Sequence, residues 1–442
     1  MNTGANANLN KQARSDFTVK RLLPTPAQLD FLNWEFGVFF HFGIRSFFPG
    51  HQDWDGKPMP AEQFNPQELD CEQWISLSAR AGAKYAILVC KHHDGFANWP
   101  SQYSDYSVAQ TPWKDGKGDV VREFVDACRK YDLKVGLYYS PAQWGGKVNF
   151  NEDKEYDDYF INQISELLSN YGKIDYLWFD GCGSENHEYD KDRIISVIRS
   201  LQPGILIFNM WDPDTRWVGN EDGHAPMPNF YTCASTDFSM MTSRMDALSQ
   251  ECFLPAECDC KMRSTWFDCE DNEKSVKTLE ELMGMYERSV GRGANLLLNI
   301  GPDCRGLLPE KDAKRLLELG DEIRRRYGSP LPFGPMKKQS ETEYAIQAPS
   351  YTGEFAHDAT EQPLVNRVMI QEDISQGEAV TAFRIHASLP GYQSKSICIY
   401  KGDTIGHKAI CVFPAIRTGK ITVEIESANG EVRLADIQAF HA

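Results

Sequence analysis

No stretch of about 20 apolar residues occurs in the 442-residue chain, so no segment reads as a membrane-spanning helix. Clustered Lys and Arg are also missing. The 46 basic residues stand against 63 acidic ones, and the net charge of −17 argues against a nucleic-acid partner, which needs a basic face for phosphate. The acidic excess reads as a solubility feature. The twelve cysteines lack the paired C-x2-C spacing of a zinc site, the cluster Cys252, Cys258, Cys260 and Cys269 being irregular. Others fall inside regular patterns, Cys90 in a strand and Cys128 in a helix, so free thiols are expected rather than a disulfide framework. Internal repeats and low-complexity tracts are absent. The first residues, MNTGANANLNKQARSDF, hold no apolar signal-peptide core, which leaves a cytoplasmic protein or a chain that begins after a removed leader.

What is present is an alternation of short apolar runs with amphipathic stretches. The spacing predicts strands over 37–42, 85–91, 135–140, 176–180, 204–210, 230–235, 252–258 and 294–300. Several are continuously apolar, as strands buried on both faces of a parallel sheet must be. Helical patterns lie between them at 119–132, 155–172 and 278–292, and a last one spans 309–328. Eight strands with intervening helices over ~300 residues predict an α/β fold, a (β/α)8-like TIM barrel. Beyond GSPLPFGP the texture changes to alternating runs broken by turn residues, which predicts a C-terminal β-sandwich. The expected organisation is a tail over 1–19, a catalytic barrel over 20–338 and the sandwich over 339–442. The sandwich has no Trp and no evident sugar-stacking platform, so a structural role is expected of it.

Three of the runs end in reactive side chains. VFFHFG carries His41, YAILVCKHHDGF ends at His92 and His93, and YLWFDG delivers Asp180. A barrel gathers its chemistry at such C-terminal strand ends. A strand-end aspartate can equally cap the next helix, but Tyr176, Trp178 and Phe179 beside Asp180 are suited to stacking on a sugar. The glycines on either side of Cys182 predict open space beside that carboxylate. Glycoside hydrolysis needs a second carboxyl. Two are available: Glu221 in RWVGNEDG, on the loop after the fifth predicted strand, and Glu257 in LPAECD, at the end of the seventh. His92, His93 and Asp94 form a rival, metal-binding arrangement, but without the H-E-x-x-H spacing, so no metal and no cofactor is expected.

The runs GVFFHFG, GAKYAILVCKHHDGFANWPS, VGLYYSP, YLWFDG and ANLLLNIGPDCRGLLP together resemble the α-L-fucosidases of glycoside hydrolase family 29, in order and over roughly residues 20–335. The resemblance implies a retaining hydrolase with Asp180 as nucleophile. It implies sugar contacts from His41, His92 and His93, with Tyr138 and Trp178 beside them, Arg263 near the nucleophile, and Trp266 or Phe267 against the sugar's methyl group. RWVGNE and PAECD resemble the subgroup that cleaves α-1,3/1,4-linked fucose, which implies Glu221 as acid/base and Glu257 as the alternative. Asp53–Trp54 stands where the family has Glu-Trp, retracting a sugar-binding carboxylate by roughly an ångström, so weak activity, galactoside acceptance or a glycan-binding role is the alternative. KMRSTWF likewise replaces SIRPGWF. The implied partner is a fucosylated oligosaccharide or glycoconjugate, and the implied location periplasmic or secreted, with cytoplasmic as the alternative; nothing bears on oligomeric state.

Overall fold

The computed structural model describes residues 22–51, 55–145, 150, 152–240, 242–268, 272–349, 359–389 and 395–442. Eight parallel strands form one sheet: β1 (Phe36–Phe40), β2 (Tyr85–Lys91), β3 (Lys134–Tyr139), β4 (Tyr176–Phe179), β5 (Leu206–Phe208), β6 (Arg216–Trp217), β9 (Ala256–Lys261) and β10 (Ala294–Asn299). Its order runs β5-β4-β3-β2-β1-β10-β9-β6, and a parallel bridge from Phe208 to Thr215 brings the two edges together into a nearly closed barrel.

Every second residue faces inward. Phe39, Tyr85, Ile87, Val89, Tyr138, Tyr176, Trp178, Phe208 and Leu297 fill the interior, while Val38, Phe40, Ala86, Leu88, Leu137 and Leu177 pack outward against the helices. Helix α1 (Pro26–Trp34), begun by a capping box between Thr25 and Gln28, plugs the N-terminal end, where Phe31 and Trp34 sit against Tyr85 and Tyr176. The outer helices include α2 (Cys71–Ala81), α3 (Val120–Lys130), α4 (Asp153–Asn170), α5 (Lys191–Leu201), α6 (Leu279–Ser289) and α7 (Glu310–Tyr327). Asp70, Asp119, Asp190 and Thr278 cap α2, α3, α5 and α6 by accepting from a first-turn amide.

Strands six and seven differ from the sequence expectation. The predicted run 230–235 falls on β7 (Thr232–Asp237), which pairs antiparallel with β8 (Met245–Phe253) in a two-stranded ribbon apart from the barrel sheet. The sixth barrel strand is the two-residue Arg216–Trp217, too short to show any alternation. The predicted run 252–258 joins the end of β8 to the start of β9 across Leu254–Pro255, where a proline interrupts pairing. Glu221 therefore follows the sixth barrel strand rather than the fifth, and Glu257 lies near the start of β9 rather than at its end.

The C-terminal part has two antiparallel sheets. One holds β11 (Lys337–Lys338), β12 (Glu343–Gln347), β17 (Lys420–Ala428), β14 (Val380–Ser388) and β15 (Ser396–Gly402); the other holds β16 (Ala409–Arg417), β13 (Leu364–Glu372) and β18 (Leu434–Phe440). Their inward residues share one core that includes Ile346, Val368, Phe383, Ile385, Val423 and Ile437. This unit is clamped to the barrel. Ile410 enters the barrel's outer core, Lys408 ion-pairs with Glu35, and Arg367 meets Glu287 at 3.2 Å.

Candidate active site

At the C-terminal end of the barrel a cavity of about 290 Å³ is lined by His41, His92, His93, Tyr138, Trp178, Asp180, Trp217, Glu221, Asp259, Lys261 and Trp266, among others. Size and lining suit a small polar ligand with apolar faces, near the lower end of ~300–1,000 Å³ sites. Each side chain arrives by a local device. His41 continues the inward alternation of Phe39 in β1, and its Nδ1 lies 2.7 Å from Asn299 Oδ1 at the end of β10. Adjacent histidines on a regular strand point to opposite faces. Here the pairing of β2 with β3 shifts register between Val89 and Lys91, after which His92 and His93 both line the cavity.

Asp180 directly follows β4. Tyr138 donates its phenol to Oδ2 at 2.8 Å, the Cys182 amide donates to Oδ1 at 2.9 Å, and His93 Nε2 lies 3.5 Å from Oδ2. Desolvation by the surrounding side chains lifts Asp180 above the ordinary aspartate range, while His92, the Cys182 amide and Tyr138 act the other way. The flanking glycines serve close packing rather than open space. A Cβ on Gly181 would stand 2.3 Å from the Phe238 carbonyl, and one on Gly183 would stand 2.2 Å from the Trp144 indole.

Glu221 sits on the loop after β6 at φ +52, a left-handed conformation that costs a non-glycine residue on the order of 1 kcal/mol. Asn209, which lines the same cavity, is held at φ +62. Such strain concentrates at functional sites. Lys261 donates to Glu221 Oε2 at 2.9 Å while its ammonium lies 4.8 Å from the centre of the Trp266 ring.

Rings form the rest of the wall. Trp178 stacks on Phe208 at 4.1 Å and 11°, Tyr138 stacks on His92, and Trp266 stacks on His41 at 4.8 Å. Phe267 stands behind the histidines, edge-on to His41 and His92, and does not line the cavity. Arg263 is held by two carboxylates. Its guanidinium pairs with Asp312 at 2.6 Å and Asp268 at 2.8 Å, tying the β9–α6 connection to α7, and it is not among the lining residues. Asp53 and Trp54 lie outside the described residues. His92, His93 and Asp180 bring donor atoms within 4.8 Å of one another, a grouping that could hold a metal ion. Asp94 is not part of that grouping, and its Oδ1 accepts from the Phe96 amide at 2.7 Å.

Glu257 does not line the cavity. It is fully buried beneath Trp178, accepting from Trp178 Nε1 at 2.9 Å, Tyr85 OH at 2.7 Å and Tyr176 OH at 3.4 Å. Desolvation pushes it up to about 7, against the pull of those three donors. A carboxyl raised on folding contributes stability that is complete below the unfolded value near 4.5 and is lost as pH rises to about 7. Glu257→Gln, which keeps the acceptor, should therefore flatten the fall in unfolding free energy between pH 5 and pH 8, by up to roughly 3 kcal/mol. An unchanged slope in calorimetric scans at the two pH values would dismiss this account.

Residues that the sequence reading passed over complete the wall. Asp259 and Lys261 alternate with Glu257 along β9, a period-2 signal readable only once that strand is assigned, and Asn299 and Ser140 hold His41 and His93 from neighbouring strand ends. Phe238, Ser239 and Met240 reach the cavity from the ribbon and carried no sequence signal.

The family profile described as alpha-L-fucosidase matches residues 3–326. The chain is 32% identical to alpha-L-fucosidase 1 of Arabidopsis thaliana, over 89% of this chain and 82% of that protein. It is 27% identical to the human plasma alpha-L-fucosidase over 66% of each. Its fold matches the crystal structure of a glycoside hydrolase 29 family member from an unknown rumen bacterium with a TM-score of 0.83 and 30% identity, over 96% of this chain and 78% of the other. A profile match across most of the chain, on a barrel that gathers carboxylates and histidines in one cavity, shows that the chain belongs to the alpha-L-fucosidase family of glycoside hydrolases.

Proposed function

We propose that the protein is a retaining exo-glycosidase that releases terminal α-L-fucose, α-1,3/1,4-linked, from branched glycans. The observation that carries this reading is the convergence of Asp180 and Glu221 on one cavity lined by three histidines and by aromatic faces. Asp180 attacks the anomeric carbon as the bond to the leaving oxygen breaks, and Glu221 gives that oxygen its proton. Water then attacks the fucosyl ester, Glu221 takes a proton from it, and Asp180 leaves as carboxylate. Tyr138 and the Cys182 amide aim the nucleophile. His41, His92 and His93 are placed to bond the sugar hydroxyls, and Trp266 and Trp178 to cover its apolar faces. In this reading Trp144, 45% exposed beside His93, and Met240, 54% exposed at the lining, would pack against the leaving group.

The test is hydrolysis of an aryl α-L-fucoside and of a Lewis-type fucosylated trisaccharide, followed by proton NMR. Cleavage of both with α-fucose as the first anomer supports the reading. First formation of β-fucose would overturn retention, and exclusive cleavage of galactosides would overturn the substrate.

A further inference from the structure

Strand β9 ends on Lys261, whose side chain lines the cavity together with Glu221 and Trp266. Its backbone is fixed from two sides. It stands in register with Asn299 of β10, and its carbonyl accepts from Lys277 Nζ at 2.6 Å. The loop that carries Glu221 is stitched to the same strand. The Val218 amide donates to the Glu257 carbonyl at 3.3 Å, the Gly223 amide donates to the Asp259 carbonyl at 3.2 Å, and Asp222 bridges to Cys260. These bonds hold the backbone on both sides of Glu221 and leave its side chain to be oriented by what it meets.

What it meets is an ammonium. Lys261 Nζ donates to Glu221 Oε2 at 2.9 Å and lies 4.8 Å from the centre of the Trp266 ring, which itself stacks on His41. The ring braces the lysine on one side while the carboxylate holds it on the other. The two charged side chains are 24% and 26% exposed, so water and salt screen this pair less than one on the open surface. An ammonium offers donors and no acceptor. With Oε2 engaged in this way, a proton added to the carboxyl goes to Oε1, away from the positive charge.

The two half-reactions of the proposed route use Glu221 differently. On an aryl fucoside with a good leaving group the first step needs little of its proton, whereas the second step always needs it as an ionised, aimed base.

We propose that Lys261 is a positioning residue for the second half of the hydrolysis, holding Glu221 by Oε2 so that Oε1 meets the water that attacks the fucosyl ester. This rests on the reading of Glu221 as acid/base. The water gives a proton to Oε1 and its oxygen to the anomeric carbon, while the bond from that carbon to Asp180 breaks and its electron pair returns to the carboxylate. Lys261 keeps its protons throughout.

The experiment is steady-state and stopped-flow hydrolysis of a chloronitrophenyl α-L-fucoside by wild type, Lys261→Met and Glu221→Ala. Methionine keeps an unbranched stem against Trp266 and removes the charge. It should lower kcat by about tenfold or more, because the second step then limits turnover, and leave kcat/KM, which reports the first step, within about threefold. KM should therefore fall with kcat, and a full burst of phenol should precede the steady state. Should the methionine variant not fold, Lys261→Gln reads the same split. A wild-type kcat in the Lys261 variant, or a joint fall of kcat and kcat/KM without a burst, would overturn the role of Lys261; a burst in Glu221→Ala beside either result leaves Glu221 as acid/base. Wild-type turnover without a burst in Glu221→Ala would overturn the acid/base reading, and the role of Lys261 with it.

Discussion

Asp180→Asn lowers kcat/KM on aryl and natural fucosides alike by about 10⁴-fold or more, and the protein stays folded. The loss is uniform because an amide cannot form the glycosyl ester, whatever the leaving group. A factor of 10⁴ corresponds to ~5.5 kcal/mol of transition-state stabilisation, more than hydrogen bonding to one bound sugar hydroxyl would supply. Folding is spared because the amide oxygen still accepts from the Cys182 amide, while the amide nitrogen, in the place of Oδ2, can donate to the Tyr138 hydroxyl oxygen. The melting temperature should hold or rise, since desolvation already acts against the carboxylate at this position. Azide gives a second readout. In Asp180→Gly it would attack the α-fucoside directly and yield the β-fucosyl azide. Wild-type turnover in Asp180→Asn would remove this residue from the mechanism.

Glu221→Ala behaves differently, and the difference identifies its role. Loss should reach about 10²–10⁴-fold on a natural trisaccharide and far less on an aryl fucoside with a good leaving group, which departs without a proton. With that activated substrate the fucosyl enzyme accumulates, so a burst of phenol should precede a slow steady state. Azide should then restore turnover and give the α-fucosyl azide, because it intercepts the ester from the face opposite Asp180. The two variants therefore yield azides of opposite configuration. The same pattern in Glu257→Gln instead would transfer the role to the buried carboxyl, against its burial beneath Trp178 and its three donors.

Local pattern determined much of the architecture. Strands such as Tyr85–Lys91 and Ala294–Asn299 are mostly apolar, which a chain shows when a strand is covered on both faces, and their residues are buried throughout. Capped, amphipathic helices between them announced a parallel barrel, and the run at Tyr176–Phe179 announced an aspartate at its mouth. The sixth strand escaped because two residues carry no period, and the ribbon of β7 and β8 imitated barrel strands because a half-exposed strand and a barrel strand share β-branched and apolar residues. Arg263 shows the same limit at the site. Its sequence surroundings name no partner, whereas its guanidinium is held by Asp312, 49 residues away in sequence.

By itself the sequence determined where the first four barrel strands end and which ionisable residues stand at those ends, because periodicity and chain breaks are local properties. Only the tertiary structure decided among the carboxyls. Glu257 and Asp259 are two positions apart on one strand, with the same side facing inward, yet one is sealed under Trp178 and the other opens on the cavity. That choice depends on the height of each residue along the barrel axis and on which aromatic ring, brought from β4 or β6, lies over it. Both are consequences of strand register, which no single segment encodes.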